Sequence, residues 1–304
     1  MIRIKLCPCC GGRPAQAWPA LIAPFIASYA LQSVVAPCQL LECGACELRY
    51  FDGRFDSTEM NWLYSGYRSE AYFQARHHHE FWYTRRHNQG TGHAPAILST
   101  RKSATEEFIR AHADPGRLNR VLDYGGDSGQ FIPDGVGQDR EVFDLSDALP
   151  VPGVKRIADE QSLELGAYDL VLLNHVLEHS PEPGKQLLRV AQLLKPGIGI
   201  LHVEVPFERY HLGRSSQGNG QGRRLAFLAR HPALLRWADF YSTLFRVALN
   251  RVPPFGFPKL HEHINFFSER SLRVACDVVG LQVVAFEIAN RGHGKVLAVL
   301  ARRT

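Results

Sequence analysis

The sequence predicts an α/β protein built on a parallel, doubly wound sheet. Three observations carry that expectation. First, Val121-Leu-Asp-Tyr-Gly-Gly-Asp-Ser-Gly-Gln-Phe131 reads as a buried strand breaking into a glycine turn. Missing Cβ atoms there let backbone approach a ligand, and the next helix is expected to aim its N-terminus at it. Second, strand-like and helix-like stretches alternate from Val121 to Val205, the pattern of β-α crossovers. Third, Gly125, Asp144, Asp159, Asn174 and Glu204 fall at the carboxyl ends of the expected strands, where open sheets of this kind bind ligands.

The elements follow in order. Glu141-Val-Phe-Asp144 is a short apolar segment ending in a carboxylate about twenty residues past the first glycine, placed to accept hydrogen bonds from ribose hydroxyls. Ala158-Asp-Glu160 comes next, and then a buried strand from Leu170 to Leu173. Leu187, Val190, Ala191 and Leu194, three and four apart, give a helix an apolar face, and Leu194-Lys-Pro-Gly197 stops it. Ile198 to Val205 is a further buried strand. Taken alone, the glycine turn suits a dinucleotide enzyme as well as an adenosyl one.

In this ordered combination the chain resembles a class I S-adenosylmethionine-dependent methyltransferase, most of all the bacterial group that pairs an N-terminal cysteine motif with this domain. The matching residues are Asp123, the turn Gly125 to Gly129, Asp144, the pair Glu178-His179 and Lys195-Pro196-Gly197. The resemblance spans Val121 to about Phe207 and His263 to Ala301, roughly half the chain. It implies a Rossmann-like, seven-stranded sheet ending in an antiparallel hairpin, fitted by Leu281 to Ile288 and Lys295 to Ala301. It also implies S-adenosyl-L-methionine as cofactor, held by Asp123, Gly125, Gly126, Asp127, Gly129, Asp144, Leu145, Asp159, Glu160, Asn174 and His175. At one position the chain departs from the family, whose middle glycine is replaced by Asp127. Its carboxylate either crowds the methionine end of the cofactor or accepts a hydrogen bond from the cofactor's amino group.

A sulfonium is already activated toward displacement, so the protein must hold the acceptor close and, for a hydroxyl, remove a proton. Histidines at the strand ends are the candidate bases: His175 and His179 after the fourth strand, and His261 and His263 before a helix capped by Ser268. The resemblance favours His179 and His263, with Glu178 beside them; the alternative is that these histidines only fix loops. A competing variant has Glu178, His179 and His263 or His261 ligating a divalent metal that orients vicinal hydroxyls, as in metal-dependent ribose or sugar O-methyltransferases.

Six of the seven cysteines lie before residue 47 and need their own explanation. Cys7-Pro-Cys-Cys10 and Cys43-Gly-Ala-Cys46 are two knuckles whose four thiolates close a tetrahedron around structural zinc, with Gly11 and Gly44 easing the bends. The metal ligands expected are Cys7, Cys10, Cys43 and Cys46, with Cys9 or Cys38 able to replace one. Zinc then holds together a ribbon too small to fold on its own core. Nothing before Cys7 resembles a signal peptide, which argues against disulfides and points to the cytoplasm. No basic and aromatic face accompanies the knuckles, which favours a structural role over nucleic-acid binding. Cys276 reads as a buried small hydrophobe within a helix.

Four divisions are expected: a zinc-ribbon-like module (1–50), a helical connector or cap (51–117), the methyltransferase domain (118–206 and 261–304) and a basic helical insertion (207–260). Ala17 to Gln39 carries no charge, but Pro19, Pro24 and Pro37 interrupt it, so it reads as packed chain and not as a membrane span. In the connector Tyr64, Tyr67, Tyr72, Phe73, Phe81, Trp82 and Tyr83 alternate with Arg68, Arg76, Arg85 and Arg86. They line a substrate cleft suited to sugar or phosphate, or form a strut on the sheet's edge. The insertion from Phe207 to Leu260 has nine Lys or Arg against Glu208 and Asp239, a charge of +7 that exceeds the whole chain's +5. It is expected to be a lid, with a loop over Gly213 to Gly222, for an anionic or lipid-linked acceptor; a structural helical hairpin is the alternative. Peripheral contact at the inner membrane face follows from the same charge. The expected reaction is O-methylation of a saccharide or of a polysaccharide precursor. A zinc-ribbon nucleic-acid binder and a catalytically silent scaffold are the readings from other classes.

Overall fold

The computed structural model describes residues 1–90, 94–212, 219–292 and 294–303. The chain opens with β1 (Ile2–Arg3), β2 (Pro14–Ile22), α1 (Pro24–Tyr29), β3 (Pro37–Cys43), β4 (Arg49–Phe51) and β5 (Gly53–Arg54). Four helices follow: α2 (Ser57–Tyr64), α3 (Glu70–His79), α4 (Arg85–Gly90) and α5 (Pro95–His112). Next come β6 (Arg120–Tyr124), β7 (Asp139–Phe143), β8 (Lys155–Ile157), β9 (Leu170–Asn174), α6 (Pro183–Leu193) and β10 (Ile200–Pro206). Then α7 (Asn219–Ala229), α8 (Pro232–Leu249), β11 (Lys259–Leu260), β12 (Asn265–Phe266), α9 (Glu269–Val278), β13 (Leu281–Asn290) and β14 (Lys295–Arg303) complete it. Residues 213–218 of the expected loop lie outside the described residues.

The chain forms two compact units. One comprises Met1–Cys7, Gly11–Gln89 and Glu208–Phe266, the other Pro8–Cys10, Gly90–Phe207 and Phe267–Thr304. The second unit carries a seven-stranded sheet in the order β13-β14-β10-β9-β6-β7-β8. β10, β9, β6, β7 and β8 run parallel, whereas β14 is antiparallel to both β10 and β13, giving the expected terminal hairpin. β9 is buried along its whole length, as a central parallel strand covered on both faces must be. The apolar face of α6 buries Leu187, Val190, Ala191 and Leu193. Phe108 and Ile109 of α5 join Val121, Leu170, Leu172, Ile200 and Leu300 in one core. Ser268 caps α9: its hydroxyl accepts the Ser271 N–H while the Ser271 hydroxyl accepts the Ser268 N–H. Cys276 is fully buried in that helix.

One expectation fails here. No helix follows the glycine turn: residues 125–138 are a chain of turns leading directly to β7. Gly125, Gly126, Gly129, Pro133, Gly135 and Gly137 break that short connection too often for helical hydrogen bonds to propagate.

The first unit is built on a five-stranded sheet in the order β11-β2-β3-β4-β12. The uncharged stretch Ala17 to Gln39 supplies most of β2, all of α1 and the start of β3, with β2 and β3 antiparallel. No helix among the described residues is long and apolar enough to cross a membrane. The sheet extends beyond the first fifty residues because β11 pairs with β2 and β12 with β4. Ala23 N–H donates to Leu260 O at 2.8 Å and Phe51 N–H to Ile264 O at 3.0 Å, so residues 259–266 belong to this sheet.

Tyr72, Phe73 and Tyr83 of the connector lie in its core with Phe25, Leu260, Ile264 and Phe266, so these rings serve packing. Arg76 lies 3.9 Å over the Tyr83 ring and donates to Glu80 at 2.9 Å and to Glu262 at 3.3 Å. Tyr72 also donates to Glu262, and Lys259 reaches Glu80 at 2.7 Å and Asp239 at 3.1 Å. With Lys259 and His261 as its strongest partners, Glu80 is held well below the usual carboxylate range despite its burial. The insertion forms two helices that break before Pro232 and pack on β2 through Leu21, Leu225, Leu235 and Phe257.

Candidate active site

The second unit gathers the expected cofactor residues at the carboxyl ends of β6, β7 and β9. Asp123, next to last in β6, is fully buried, and its carboxylate has no hydrogen-bond partner among the described residues. Burial pushes this acid up to about 7; the carboxylates of Asp144 and Asp127 add to the rise, and the Arg101 guanidinium opposes it. Glycine is required beside it, because a Cβ on Gly126 would lie 2.1 Å from the Asp123 carboxyl carbon. Gly125 and Gly129 hold φ of +73° and +76°, the left-handed region that glycine enters without strain.

Asp127, where the family has its middle glycine, also takes a left-handed φ of +56°. Aspartate tolerates this better than most side chains. Its N–H donates to Asp144 at 2.8 Å, and its carboxylate accepts the Ser146 hydroxyl at 3.1 Å. The other Asp144 oxygen accepts the Ser146 N–H at 2.7 Å. Each oxygen keeps a lone pair for a further donor, so Asp144 is fixed in place and still able to receive a diol. Next to it in the chain, Leu145 is 55% exposed. Asp159 is exposed and caps a short 3₁₀ turn by accepting the Gln161 N–H, and Glu160 accepts the Tyr124 hydroxyl at 2.6 Å.

These positions fit the cofactor. Around the buried Asp123 carboxyl act the carboxylates of Asp144 and Asp127 and the guanidinium of Arg101, a balance of negative charge that a ligand of net positive charge relieves. The buried carboxylate without a partner and the missing Cβ at Gly126 point the same way.

The loop after β9 is tied down by charge. His175, at φ +57°, places its Nδ1 3.2 Å from Glu178 and its Nε2 2.9 Å from Glu204. Burial opposes the charged ring, but the hydrogen bonds to the Glu178 and Glu204 carboxylates prevail and raise its pKa. Glu204 also pairs with Arg291 at 2.8 Å and Arg101 at 3.4 Å, and its carboxyl is held well below the usual range although buried. Asn174 Oδ1 accepts from Nδ1 of His202, a ring that burial holds neutral by lowering it to about 3. His175 and Asn174 thus use these side-chain groups on the protein itself. His179, half-buried in the loop after β9, lies 3.9 Å from Glu178. His263 belongs to the first unit, where its Nδ1 lies 2.8 Å from Glu208.

Sequence reasoning did not find Arg101, Arg291 or His202. Lone cations on a helix and at a strand end, and a histidine inside a buried strand, carry no spacing that marks them.

The sulfur atoms of Cys7, Cys10, Cys43 and Cys46 lie within 4.8 Å of one another, and the Cys7 and Cys46 sulfurs are 3.6 Å apart. A tetrahedron with zinc–sulfur bonds of about 2.3 Å has edges of about 3.8 Å, so the spacing suits a shared metal and is far too long for a disulfide. Cys9 and Cys38 stand outside this group; Cys38 belongs to the apolar core, where burial pushes its thiol up.

Residues 97–285 match the family described as a methyltransferase domain. A comparison with curated proteins returns no match. Among solved structures, similarity extends to the 1,6-didemethyltoxoflavin-N1-methyltransferase of Burkholderia thailandensis, at 17% identity over 69% of this chain and 80% of that one, TM-score 0.43. An S-adenosylmethionine-dependent methyltransferase from Mesorhizobium loti has 16% identity over 66% of this chain and 98% of its own, TM-score 0.41. The magnesium protoporphyrin IX methyltransferase of Synechocystis has 14% over 69% and 84%, TM-score 0.41.

Proposed function

The chain belongs to the methyltransferase domain family and is a class I S-adenosylmethionine-dependent methyltransferase; from that premise we propose that its acceptor is a hydroxyl of an anionic saccharide. The observation that carries this reading is a cavity of about 620 Å³ in the first unit, lined by Gln16, Trp18, Arg49, His211 and Arg251 among others. Arg49 lies 5.6 Å over the Trp18 ring. An aromatic face, an amide and two guanidiniums are the groups that stack on a sugar ring, bond its hydroxyls and pair with a phosphate or carboxylate.

The cofactor supplies an activated methyl group. Asp144 is positioned to take the ribose diol, and Asp123 and Asp127 to oppose the positive charge. His179, with Glu178 behind it, is the group we assign to hold the acceptor's proton. Zinc at Cys7, Cys10, Cys43 and Cys46 is part of the same proposal, as a staple of the N-terminal chain.

The test is methyl transfer from labelled cofactor to a panel of nucleotide sugars and acidic oligosaccharides. Arg251→Gln is expected to raise KM for the active acceptor with little change in kcat, whereas His179→Ala lowers kcat. Transfer confined to nitrogen or to non-saccharide acceptors would overturn the reading.

A further inference from the structure

Helix α8 presents an apolar face outward. Leu235, Asp239 and Ser242 are its buried side. On the opposite side Leu234, Trp237, Tyr241 and Leu244, spaced three and four apart, form one stripe along the helix. Their exposures are 52%, 66%, 36% and 50%. Trp237 touches the Phe81 ring edge-on at 5.9 Å and still keeps most of its surface open. Phe227 in α7 and Val247 near the end of α8 are also exposed. Scattered exposed apolar residues need no explanation, but a continuous stripe on one helix marks an interaction surface.

The charges around the stripe identify what covers it. Arg223, Arg230, Arg236 and Arg251 are exposed in this segment. Its two acids are engaged inside the unit, Asp239 buried against Lys259 and Glu208 beside His263. A second copy of the same face would bring arginines against arginines. An anionic lipid surface takes both features: acyl chains receive the apolar stripe, tryptophan and tyrosine sit at the headgroup level, and phosphates pair with the arginines.

We propose that α8 is an interfacial helix that docks the protein on an anionic phospholipid bilayer. The proposal is independent of which acceptor is methylated. It is tested by sedimenting the full chain with vesicles of phosphatidylcholine, with and without phosphatidylglycerol. The wild type is expected to bind the anionic vesicles and to lose binding with salt. Leu234→Ser/Trp237→Ser/Leu244→Ser, at exposed positions and checked by circular dichroism, is expected to weaken binding by at least about tenfold. Arg230→Gln/Arg236→Gln is expected to lose the preference for phosphatidylglycerol. Absence of vesicle binding, equal binding by the apolar variant, or a wild-type dimer that the same variant dissociates would each overturn the proposal, the last by assigning the face to a second copy.

Discussion

Asp123→Asn is expected to stabilise the ligand-free protein at neutral and alkaline pH. Asp123 rises from 3.8 in the unfolded chain to about 7 in the folded one. The folded state therefore binds more protons than the unfolded state between those values, and stability falls as pH rises through that window. A rise of about three units at 1.36 kcal/mol each amounts to roughly 4 kcal/mol once the group is ionised in both states. Asparagine fills the same space without a charge, so most of that penalty is removed. The assay is urea unfolding of the wild type and the variant at a series of pH values spanning the window, with S-adenosylmethionine titrated in parallel. The variant is expected to lose the downward slope and to bind the cationic cofactor more weakly. Parallel stability curves for the two proteins would refute the reasoning, since they would mean that Asp123 is not the buried acid carrying the pH dependence.

Three further outcomes follow from the same geometry. Glu204→Gln leaves His175, Arg101 and Arg291 without their shared anion and is expected to cost about 3–5 kcal/mol in urea unfolding. Because His175 is raised above 6.5, its contribution is present below that pH and lost as pH rises through the folded value, a loss that shrinks in the variant. Asp127→Gly removes a left-handed aspartate and one bond to Ser146, terms of about 1 kcal/mol each and opposite sign, so stability stays nearly level. Cofactor affinity is expected to fall, by no more than about tenfold, through loss of one opposing charge; a larger loss in calorimetry would mean that the Asp127 carboxylate bonds the ligand directly. Elemental analysis should find one zinc per chain, and Cys43→Ser should abolish it and expose the N-terminal segment to protease.

What could be read from the sequence was local and periodic. The buried strand Leu170–Asn174, the apolar face of α6, the Ser268 cap and the terminal hairpin each announce themselves within about two dozen residues. The glycine turn was found, but the helix after it was not there, because its glycines serve turns throughout the connection to β7. Two-residue strands such as β11 and β12 have no period to detect, so nothing announced that residues 259–266 join the N-terminal sheet. Buried charge was equally hidden. Arg76, Glu80, Lys259 and Glu262 look like surface residues until the fold brings them together, and Arg101 gains its place from Asp123, Glu204 and the Phe131 ring.

The most direct test of the central claim is calorimetric titration of the zinc-replete protein with S-adenosylmethionine and S-adenosylhomocysteine, beside an Asp144→Ala control. Micromolar binding that the substitution abolishes is the predicted result. Absence of binding by the wild type, or unchanged binding by the variant, would contradict the assignment of the glycine turn and Asp144 as the cofactor site.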